Sequence, residues 1–271
     1  MTRQKKKKIQ FSTLLKLSHA SVVLPTGERI LSDLSFAINC GERWAIVGPN
    51  GSGKTTILKI LNGYLRPTTG RLSVHFGEEE NDATEIRRRS GFVSSYLDTL
   101  LESQDNVLDV VVSGRYGATR LWQIPPYEDV LRARKLLGRL NLGRRFEDRR
   151  LADLSQGERQ RVLIARSLMP DPLLLTFDEP CASLDLGARE SFLRGLEVIF
   201  RDNSSPSMVY VTHRLDEIPA GFSHALLLRK GRAVALGLIS KVITSENLSR
   251  CFGIDVEVRH WRNRMYAVVA D

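Results

Sequence analysis

The chain has 271 residues, of which 42% are hydrophobic and 26% are charged. This balance is typical of a globular protein that buries a core, and it excludes a fully disordered, collagen-like or fibrous chain. Lys and Arg number 40 against 31 Asp and Glu, so the net charge of +9 favours an anionic partner: a nucleotide, a nucleic acid or an anionic membrane surface.

The N-terminal arm at residues 1–12 is basic, with lysines at 5–8, but no apolar segment follows them, so the arm is not a secretory signal. No apolar stretch approaches the roughly 18 residues that span a bilayer. Three widely spaced Cys without a CxxC pattern favour a reducing, cytoplasmic compartment. Any membrane role would therefore come through a partner.

Short β-type runs alternate with turns from about residue 13 to 47, and Pro25-Thr26-Gly27 predicts a turn between two strands. The apolar run at 44–47 predicts a buried strand that ends at a glycine-rich loop. Residues 55–61 are helical in pattern, and Asn62-Gly63 is a plausible C-terminal stop.

Residues 71–93 again predict strands, interrupted by an acidic turn at 78–82. From about 98 to 168 the pattern is helical, and residues 131–142 form the clearest amphipathic segment.

Further strand candidates alternate with helical stretches in the last third of the chain. They lie at residues 173–177, 207–211 and 225–228. Such alternation predicts a mostly parallel sheet. Period-two patterns at 255–260 and 265–269 predict a terminal hairpin.

A phosphate-loop motif follows the first apolar strand. The motif G-x-x-x-x-G-K-[ST] is met without a mismatch by Gly48, Pro49, Asn50, Gly51, Ser52, Gly53, Lys54 and Thr55. Glycines allow backbone N–H groups to surround phosphate oxygens, and the following helix presents its positive N-terminus to the same anion. Lys54 can reach the β- and γ-phosphates, and the Thr55 hydroxyl can ligate Mg²⁺. These residues and Thr56 are the candidate ATP-binding residues.

Two carboxylates follow the apolar strand candidate at 173–177. Asp178, at the strand end, is suited to hold Mg²⁺, and Glu179 is suited to polarise an attacking water as a general base.

The segment LSQGERQ at residues 154–160 opens a helix predicted to run to about residue 168. With it, the chain resembles the ATP-binding cassette (ABC) ATPases, whose signature is LSGGQ or a near variant. The resemblance covers roughly residues 14–240. The motif order agrees, because Asp185 occupies the place of the family's D-loop aspartate and His213 that of its switch histidine. The interval between the phosphate loop and the signature is too short for the coiled-coil insertion of chromosome-maintenance relatives.

The resemblance implies an α/β P-loop NTPase (RecA-like) core with a mostly parallel sheet, an N-terminal antiparallel β portion and a helical signature subdomain. It implies one ABC ATPase domain over 1–271. The core comprises about 13–95 and 170–240, the subdomain about 96–169, and a C-terminal extension with the hairpin comprises 241–271.

The resemblance also implies a mechanism. Two cassettes dock head to tail around two ATP molecules, as a homodimer or with a paired cassette, and power a separate integral membrane permease. The cofactors are ATP and Mg²⁺, and the protein is cytoplasmic and peripheral on the inner face of the membrane through its partner.

The family's site residues carry over onto positions of this chain. Asp178 and Thr55 would bind the metal, and Glu179, His213 and Lys54 would be catalytic. The residues that face the ATP of the other cassette in trans would be Ser155, Gln156, Gly157 and Glu158.

Three positions depart from the family pattern. Ser95 stands where a Gln usually contacts Mg²⁺ or water and couples the site to the membrane partner. No aromatic residue that could stack on adenine occurs at 22–25, so Leu24 or Pro25 is the expected contact. The signature carries Gln156 and Glu158 in place of Gly and Gln.

Other short segments resemble the ModF-like molybdenum-transport branch of the family. These segments are the serine pair at 94–95 and residues 41–45, 62–64 and 178–181.

Two functions remain open on the sequence alone. A transport cassette is favoured, and a non-transport soluble ABC ATPase acting on an assembly or a nucleic-acid complex is the alternative, with nucleic acid the less expected partner. Kinases and GTPases are disfavoured because the guanine-reading NKxD motif is absent from the sequence.

Two surface groups also stay open. Tyr116, Trp122 and Tyr127 are interpreted either as a permease surface or as local packing. In the terminal hairpin, Arg259, Arg262 and Arg264 are predicted to form a solvated cap rather than a partner contact.

Overall fold

The structure is a computed structural model that describes residues 13–75, 83–94, 98–200 and 205–270. The strands of this part of the chain are β1 (Thr13–Val23), β2 (Arg29–Asn39), β3 (Arg43–Val47), β4 (Thr69–Val74), β5 (Ser90–Ser94), β6 (Leu174–Asp178), β7 (Ser207–Thr212), β8 (His224–Arg229), β9 (Arg232–Leu238), β10 (Val256–Trp261) and β11 (Arg264–Val269). Its α-helices are α1 (Lys54–Leu61), α2 (Ala83–Arg89), α3 (Val107–Ser113), α4 (Tyr127–Arg139), α5 (Gln156–Leu168), α6 (Leu186–Phe200), α7 (Ile239–Val242) and α8 (Ser245–Phe252).

A central six-stranded sheet has the order β5-β6-β7-β3-β8-β9. The first five of these strands pair in parallel, and β9 pairs antiparallel with β8. The predicted mostly parallel sheet is therefore confirmed. Because the strands run the same way, β3, β6 and β7 all end at one edge of the sheet, where the polar segments that follow them meet.

The central sheet separates two hydrophobic cores. Side chains alternate along β3, so Trp44 and Ile46 pack into one core while Ala45 and Val47 pack into the other. A strand that is buried on both faces must be apolar throughout, which explains why the run at 44–47 has no polar residue.

The antiparallel N-terminal β portion is confirmed as a three-stranded sheet with the order β2-β1-β4. It shares one core with α1 and one face of the central sheet. The predicted turn between β1 and β2 is present, with the Gly27 N–H donating to the Leu24 carbonyl oxygen at 2.9 Å and Gly27 in the left-handed region at φ 86°. The other core is filled by helices α3 to α6 and the elements after β8.

Two expectations for the middle of the chain are wrong in part. Residues 83–89, expected as strand, form α2, in which Glu85 pairs with Arg89 one turn later at 2.9 Å and Ile86 is buried. The acidic turn predicted at 78–82 lies outside the described residues.

The amphipathic helix expected at 131–142 is α4 and ends at Arg139, since Asn141 adopts a left-handed φ of 59°. Strand β9 was not predicted.

The predicted terminal hairpin is confirmed as the antiparallel pair β10 and β11. One part of its interpretation is wrong. Arg264 does not belong to a solvated cap, because it forms a two-point ion pair with Glu190 on α6.

A buried amide ties α1 to the sheet. Asn62, fully buried at the end of α1, donates from Nδ2 to the Leu58 carbonyl oxygen and to Thr176 Oγ1, both at 2.8 Å. Thr176 in β6 in turn donates to the Gly91 carbonyl oxygen in β5 at 3.2 Å. One short polar chain therefore fixes the helix that follows the phosphate loop against two strands.

We expect Asn62→Ala to lower the free energy of unfolding by about 2–3 kcal/mol, since it removes two buried hydrogen bonds and leaves Thr176 with one partner fewer. Urea denaturation of the purified chain measures the change. The exposed Asn263 provides the matched control, and Asn263→Ala should change stability by no more than about 0.5 kcal/mol. Equal stability of Asn62→Ala and the wild type would contradict the assigned role of the amide.

Candidate functional site

The phosphate-loop segment, residues 48–53, joins β3 to α1 at the carboxyl edge of the sheet. Gly51 and Gly53 have left-handed φ angles of 75° and 103°, which side chains rarely adopt. At Gly48 the constraint is steric, because a Cβ would lie 2.1 Å from the Leu228 carbonyl oxygen. The loop conformation therefore requires glycine at these positions, as the motif predicts.

Lys54 is 5% exposed, and its ammonium contacts three oxygen atoms. Its Nζ donates to the carbonyl oxygens of Gly48 at 2.9 Å and Pro49 at 3.0 Å, and lies 3.2 Å from Glu179 Oε1. A buried ammonium is costly unless it is paired, and these contacts compensate it. The predicted catalytic residues Lys54 and Glu179 are thus in direct contact.

Thr55 and Asp178, the two predicted metal ligands, also meet. The Thr55 hydroxyl donates to Asp178 Oδ1 at 3.2 Å. Burial raises the pKa of the Asp178 carboxyl and the adjacent Glu179 carboxylate adds to the rise, while the hydrogen bond from Thr55 opposes it. A hydroxyl and a carboxylate are oxygen ligands of the kind Mg²⁺ prefers, so these residues fit the ion. Among the described residues, no cluster of three or more His, Cys, Asp or Glu is placed to hold a metal ion.

Glu179 follows β6 with a left-handed φ of 45°, unusual for a side chain of its size and strained by about 1 kcal/mol. Its N–H donates to the Val211 carbonyl oxygen at 3.1 Å, which holds the residue in this conformation. Its Oε2 lies 3.2 Å from His213 Nδ1, and His213 immediately follows β7. One carboxylate therefore joins the Lys54 ammonium to the His213 imidazole.

A cavity of about 340 Å³ opens beside these groups. Its lining residues are Thr55, Ser94, Gln160, Asp178, Glu179, Pro180, Ala182 and Ser183. Sequence reasoning missed Gln160, which is 7% exposed and whose buried Oε1 has no hydrogen-bond partner among the described residues. A polar residue on the buried face of the signature helix was the available signal. Ser95, the expected replacement for the usual Gln, lies outside the described residues, and its neighbour Ser94 lines the cavity.

The signature residues start α5, as predicted. Ser155 is the N-cap: its Oγ accepts from the Glu158 N–H at 3.3 Å, while Glu158 Oε2 accepts from the Ser155 N–H at 2.8 Å and from its hydroxyl at 2.9 Å. Burial acts to raise the pKa of Glu158, but the hydrogen bonds from Ser155 outweigh it and hold the pKa below its usual value. The Glu158 that departs from the family's Gln thus closes a capping box.

The signature residues lie apart from the phosphate loop in this single chain. In the part of the chain that the structure describes, no hydrogen bond or ion pair joins residues 155–158 to residues 48–56. Gly157 instead approaches Ala188 on α6, where a Cβ would lie 3.2 Å from the Ala188 Cβ. Asp185 caps α6, accepting from the Ala188 N–H at 2.8 Å. Leu24 is partly exposed at the β1–β2 turn and Pro25 is exposed, so both remain available for the predicted adenine contact.

Residues 31–182 match the family model described as ABC transporter, which is more than half of the chain. The chain belongs to the ABC transporter ATP-binding family. It is 37% identical over 261 residues to the uncharacterized ABC transporter ATP-binding protein YlmA of Bacillus subtilis (strain 168), covering 95% of this chain and 98% of the relative.

Two solved ABC cassettes have the same fold. The chain superposes on cbiO1 of Clostridium perfringens, part of the ABC transporter complex cbiONQ, with a TM-score of 0.74 and 26% identity over 88% of this chain and 94% of the other. It superposes on a dimeric cassette in a post-hydrolysis state bound to ADP and Pi with a TM-score of 0.69 and 27% identity, covering 83% and 99%.

Membership of the ABC family gives the chain its activity. It is an ATP-binding and ATP-hydrolysing cassette subunit that powers a separate permease, and cassettes of this family work as dimers with membrane components. Within the described ranges, no helix is both long and apolar enough to cross a bilayer. The relatives named here do not test the predicted ModF-like branch, which stays a prediction.

We expect Gly48→Ala to weaken ATP binding, since the new Cβ would collide with the Leu228 carbonyl oxygen and force the loop out of place. An overpacked site costs about 1–3 kcal/mol, and each 1.4 kcal/mol is about a tenfold change in Kd. Fluorescent-nucleotide titration measures the change. Gly138 in α4 is exposed with no neighbour within 4 Å, so Gly138→Ala is the control and should leave ATP affinity unchanged. Wild-type affinity in Gly48→Ala would refute the steric argument.

Proposed function

We propose that this cassette hydrolyses ATP at a composite site formed head to tail with a second copy or a paired cassette. The observation that carries the proposal is that Lys54, Glu179 and His213 form one contact chain while residues 155–158 of the same chain contact none of them. The 271 residues contain one phosphate loop and one signature, and in the proposal a second cassette supplies the signature side of the site.

On the phosphate-loop side, residues 48–56 bind the ATP phosphates. The three oxygen contacts of the Lys54 ammonium support this role, because the γ-phosphate oxygens can replace them without leaving a buried charge unpaired. Thr55 and Asp178 would hold Mg²⁺, which would supply positive charge beside the phosphates.

Glu179 acts as the general base. Its carboxylate is held between Lys54 and His213 and lines the cavity that borders Thr55 and Asp178, a place where an attacking water can be accommodated. His213 orients the carboxylate and contacts the γ-phosphate.

On the signature side, four residues face the γ-phosphate of the ATP that the partner cassette binds: Ser155, Gln156, Gly157 and Glu158. The N-terminus of α5 is suited to an anion, and the capping box fixes the Ser155 hydroxyl there. Asp185 lies on the adjoining helix, where it caps α6.

The partners are a second cassette and an integral membrane permease, which would place the cassette at the cytoplasmic face of the membrane. An apolar surface supports the permease contact: Trp122 is 84% exposed, Ile124 is 96% exposed, and Tyr127 is exposed beside them. Exposed apolar groups of this kind are typical of a protein contact, which favours the docking interpretation over local packing.

We expect Glu179→Gln to lower ATP turnover by about 10²–10⁴-fold, because the amide keeps the size of the side chain but cannot accept the proton. ATP should remain bound, and the chain should shift from monomer to dimer when ATP is added. Turnover assays and analytical ultracentrifugation measure both effects. Glu102→Gln, at an exposed site, is the matched control and should behave as the wild type. Normal turnover together with a monomer in ATP would remove Glu179 from the role of base.

The side chain of Gln160 belongs to the same ATP site as Glu179. Its buried Oε1 has no hydrogen-bond partner in the part of the chain that the structure describes, and its side chain lines the cavity shared with Thr55, Asp178 and Glu179. We infer that the amide hydrogen-bonds the water or phosphate bound there, the task that the family assigns to the Gln replaced by Ser95.

We expect the near-isosteric Gln160→Leu to lower kcat by about 3- to 10-fold, the value of one hydrogen bond, with unchanged Kd for ATP. Steady-state kinetics and nucleotide titration separate the two quantities. The exposed Gln123 serves as control, since Gln123→Leu should alter neither. An unchanged kcat in Gln160→Leu would exclude the inferred contact.

A further inference from the structure

The C-terminal hairpin lies beyond the residues that match the family model, yet it contacts the core of the cassette. Arg264, the first residue of β11, donates from Nη1 to Glu190 Oε1 at 2.5 Å and from Nη2 to Glu190 Oε2 at 2.7 Å. Both side chains are mostly buried. The hydrogen bond from Arg264 lowers the pKa of Glu190 and raises that of Arg264, so the pair is ionised. A two-point pair of this kind fixes orientation as well as distance.

Glu190 stands on α6, whose N-terminus is capped by Asp185. Its neighbour Arg189 is 11% exposed, with Nε 3.9 Å from Glu190 Oε1 and Nη1 3.0 Å from Asp216 Oδ2. Asp216 lies in the turn that follows His213, and it also accepts from Arg214 Nη2 at 3.0 Å. Ion pairs therefore run from the hairpin across α6 to the turn after the switch histidine.

Hydrogen bonds of Thr212, the residue before His213, also hold this turn in place. The Thr212 hydroxyl donates to Glu217 Oε2 at 2.7 Å, and both side chains are buried. The Arg214 N–H donates to Thr212 Oγ1 at 3.0 Å. A displacement of Asp216 or Glu217 must therefore move the backbone that carries the imidazole.

We propose that Arg264 is a positioning residue for ATP hydrolysis, which acts by holding α6 against the turn after His213 so that Asp185 and His213 keep their places at the composite site. The inference rests on the proposed function, because it concerns the residues assigned there. Arg264 touches neither Asp185 nor His213 directly, and its effect passes through Glu190, Arg189 and Asp216.

The hairpin does not depend on Arg264 for its own attachment. Two backbone groups of β10 bind serines of α8: the Val256 N–H donates to Ser249 Oγ at 2.9 Å, and the Val258 N–H donates to Ser245 Oγ at 3.0 Å. Val258 and Met265 also pack against the core that contains helices α3 to α6. The side chains of Arg264 and Glu190 keep 29% and 27% of their exposure, and ion pairs that remain in contact with water contribute little to global stability. Loss of Arg264 should consequently loosen α6 and the turn after His213 while the chain stays folded.

The test compares Arg264→Gln, Glu190→Gln and the charge exchange Arg264→Glu with Glu190→Arg in the full-length chain. We expect each single variant to lower kcat by about 3- to 30-fold, the range of coupling through packed networks, with KM for ATP within about twofold of wild type. The exchange should recover most of the lost kcat. Arg259, which pairs with Glu257 within the same hairpin strand, is the matched control, and Arg259→Gln should leave kcat unchanged.

Hydrogen exchange distinguishes positioning from simple attachment of the hairpin. In Arg264→Gln, amides at 186–190 and 212–217 should exchange faster, whereas a purely local contact would change exchange only in the hairpin. Wild-type kcat in both single variants, or exchange confined to the hairpin, would overturn the inference. Should Arg264→Gln not fold, Glu190→Asp provides the same measurements. It keeps the negative charge but shortens the side chain by one methylene, so the carboxylate moves away from Arg264.

Lys54→Ala separates this inference from the proposed site. If Lys54→Ala abolishes ATPase activity and Arg264→Gln has wild-type kinetics, the positioning role alone is lost. If Lys54→Ala remains fully active, the proposed site itself is wrong.

Discussion

The site depends on one buried positive charge. Lys54 stands at the first position of α1 with its ammonium out of water, and the loop carbonyls of Gly48 and Pro49 and the carboxylate of Glu179 compensate its charge. Because a buried ammonium demands acceptors, it draws the phosphate loop and the segment after β6 together. The strained backbone of Glu179 and its contact with His213 complete the arrangement. The same contacts suit the site to an anion, because triphosphate oxygens carry more negative charge than the carbonyl oxygens that accept hydrogen bonds from Lys54.

The parallel sheet makes this meeting possible. The phosphate loop, Asp178 with Glu179, and His213 come from widely separated parts of the chain but stand at the ends of β3, β6 and β7, which are neighbours in the sheet. Ligand sites of open α/β sheets lie at this edge for the same reason. The hydrogen bond between Asn62 and Thr176 holds the end of α1 against β6. The phosphate loop therefore has a buried strand before it and a fixed helix after it.

The signature segment and α6 form a second group of contacts. The Ser155 capping box fixes the start of α5, Asp185 caps α6, and Glu190, farther along α6, contacts Arg264. In the proposed composite site, these residues would face a nucleotide on a second cassette. The C-terminal hairpin, which lies beyond the family match, contacts this region through ion pairs as well as through apolar packing.

The sequence by itself determined the chemistry and much of the fold. Short-range rules sufficed for the phosphate loop, whose glycines are required by backbone geometry, and for β3, whose unbroken apolar run reflects burial on both faces. The motif order identified the family. The helix at 83–89 was missed because its pattern is short and its helical support is the pairing of Glu85 with Arg89.

Only the tertiary structure decided which side chains meet. The contact of Lys54 with Glu179, the cavity that Gln160 lines together with Thr55 and the pairing of Arg264 with Glu190 bring together residues that are far apart in the chain. No local pattern encodes them, because they depend on strand order and on how helices pack across the sheet.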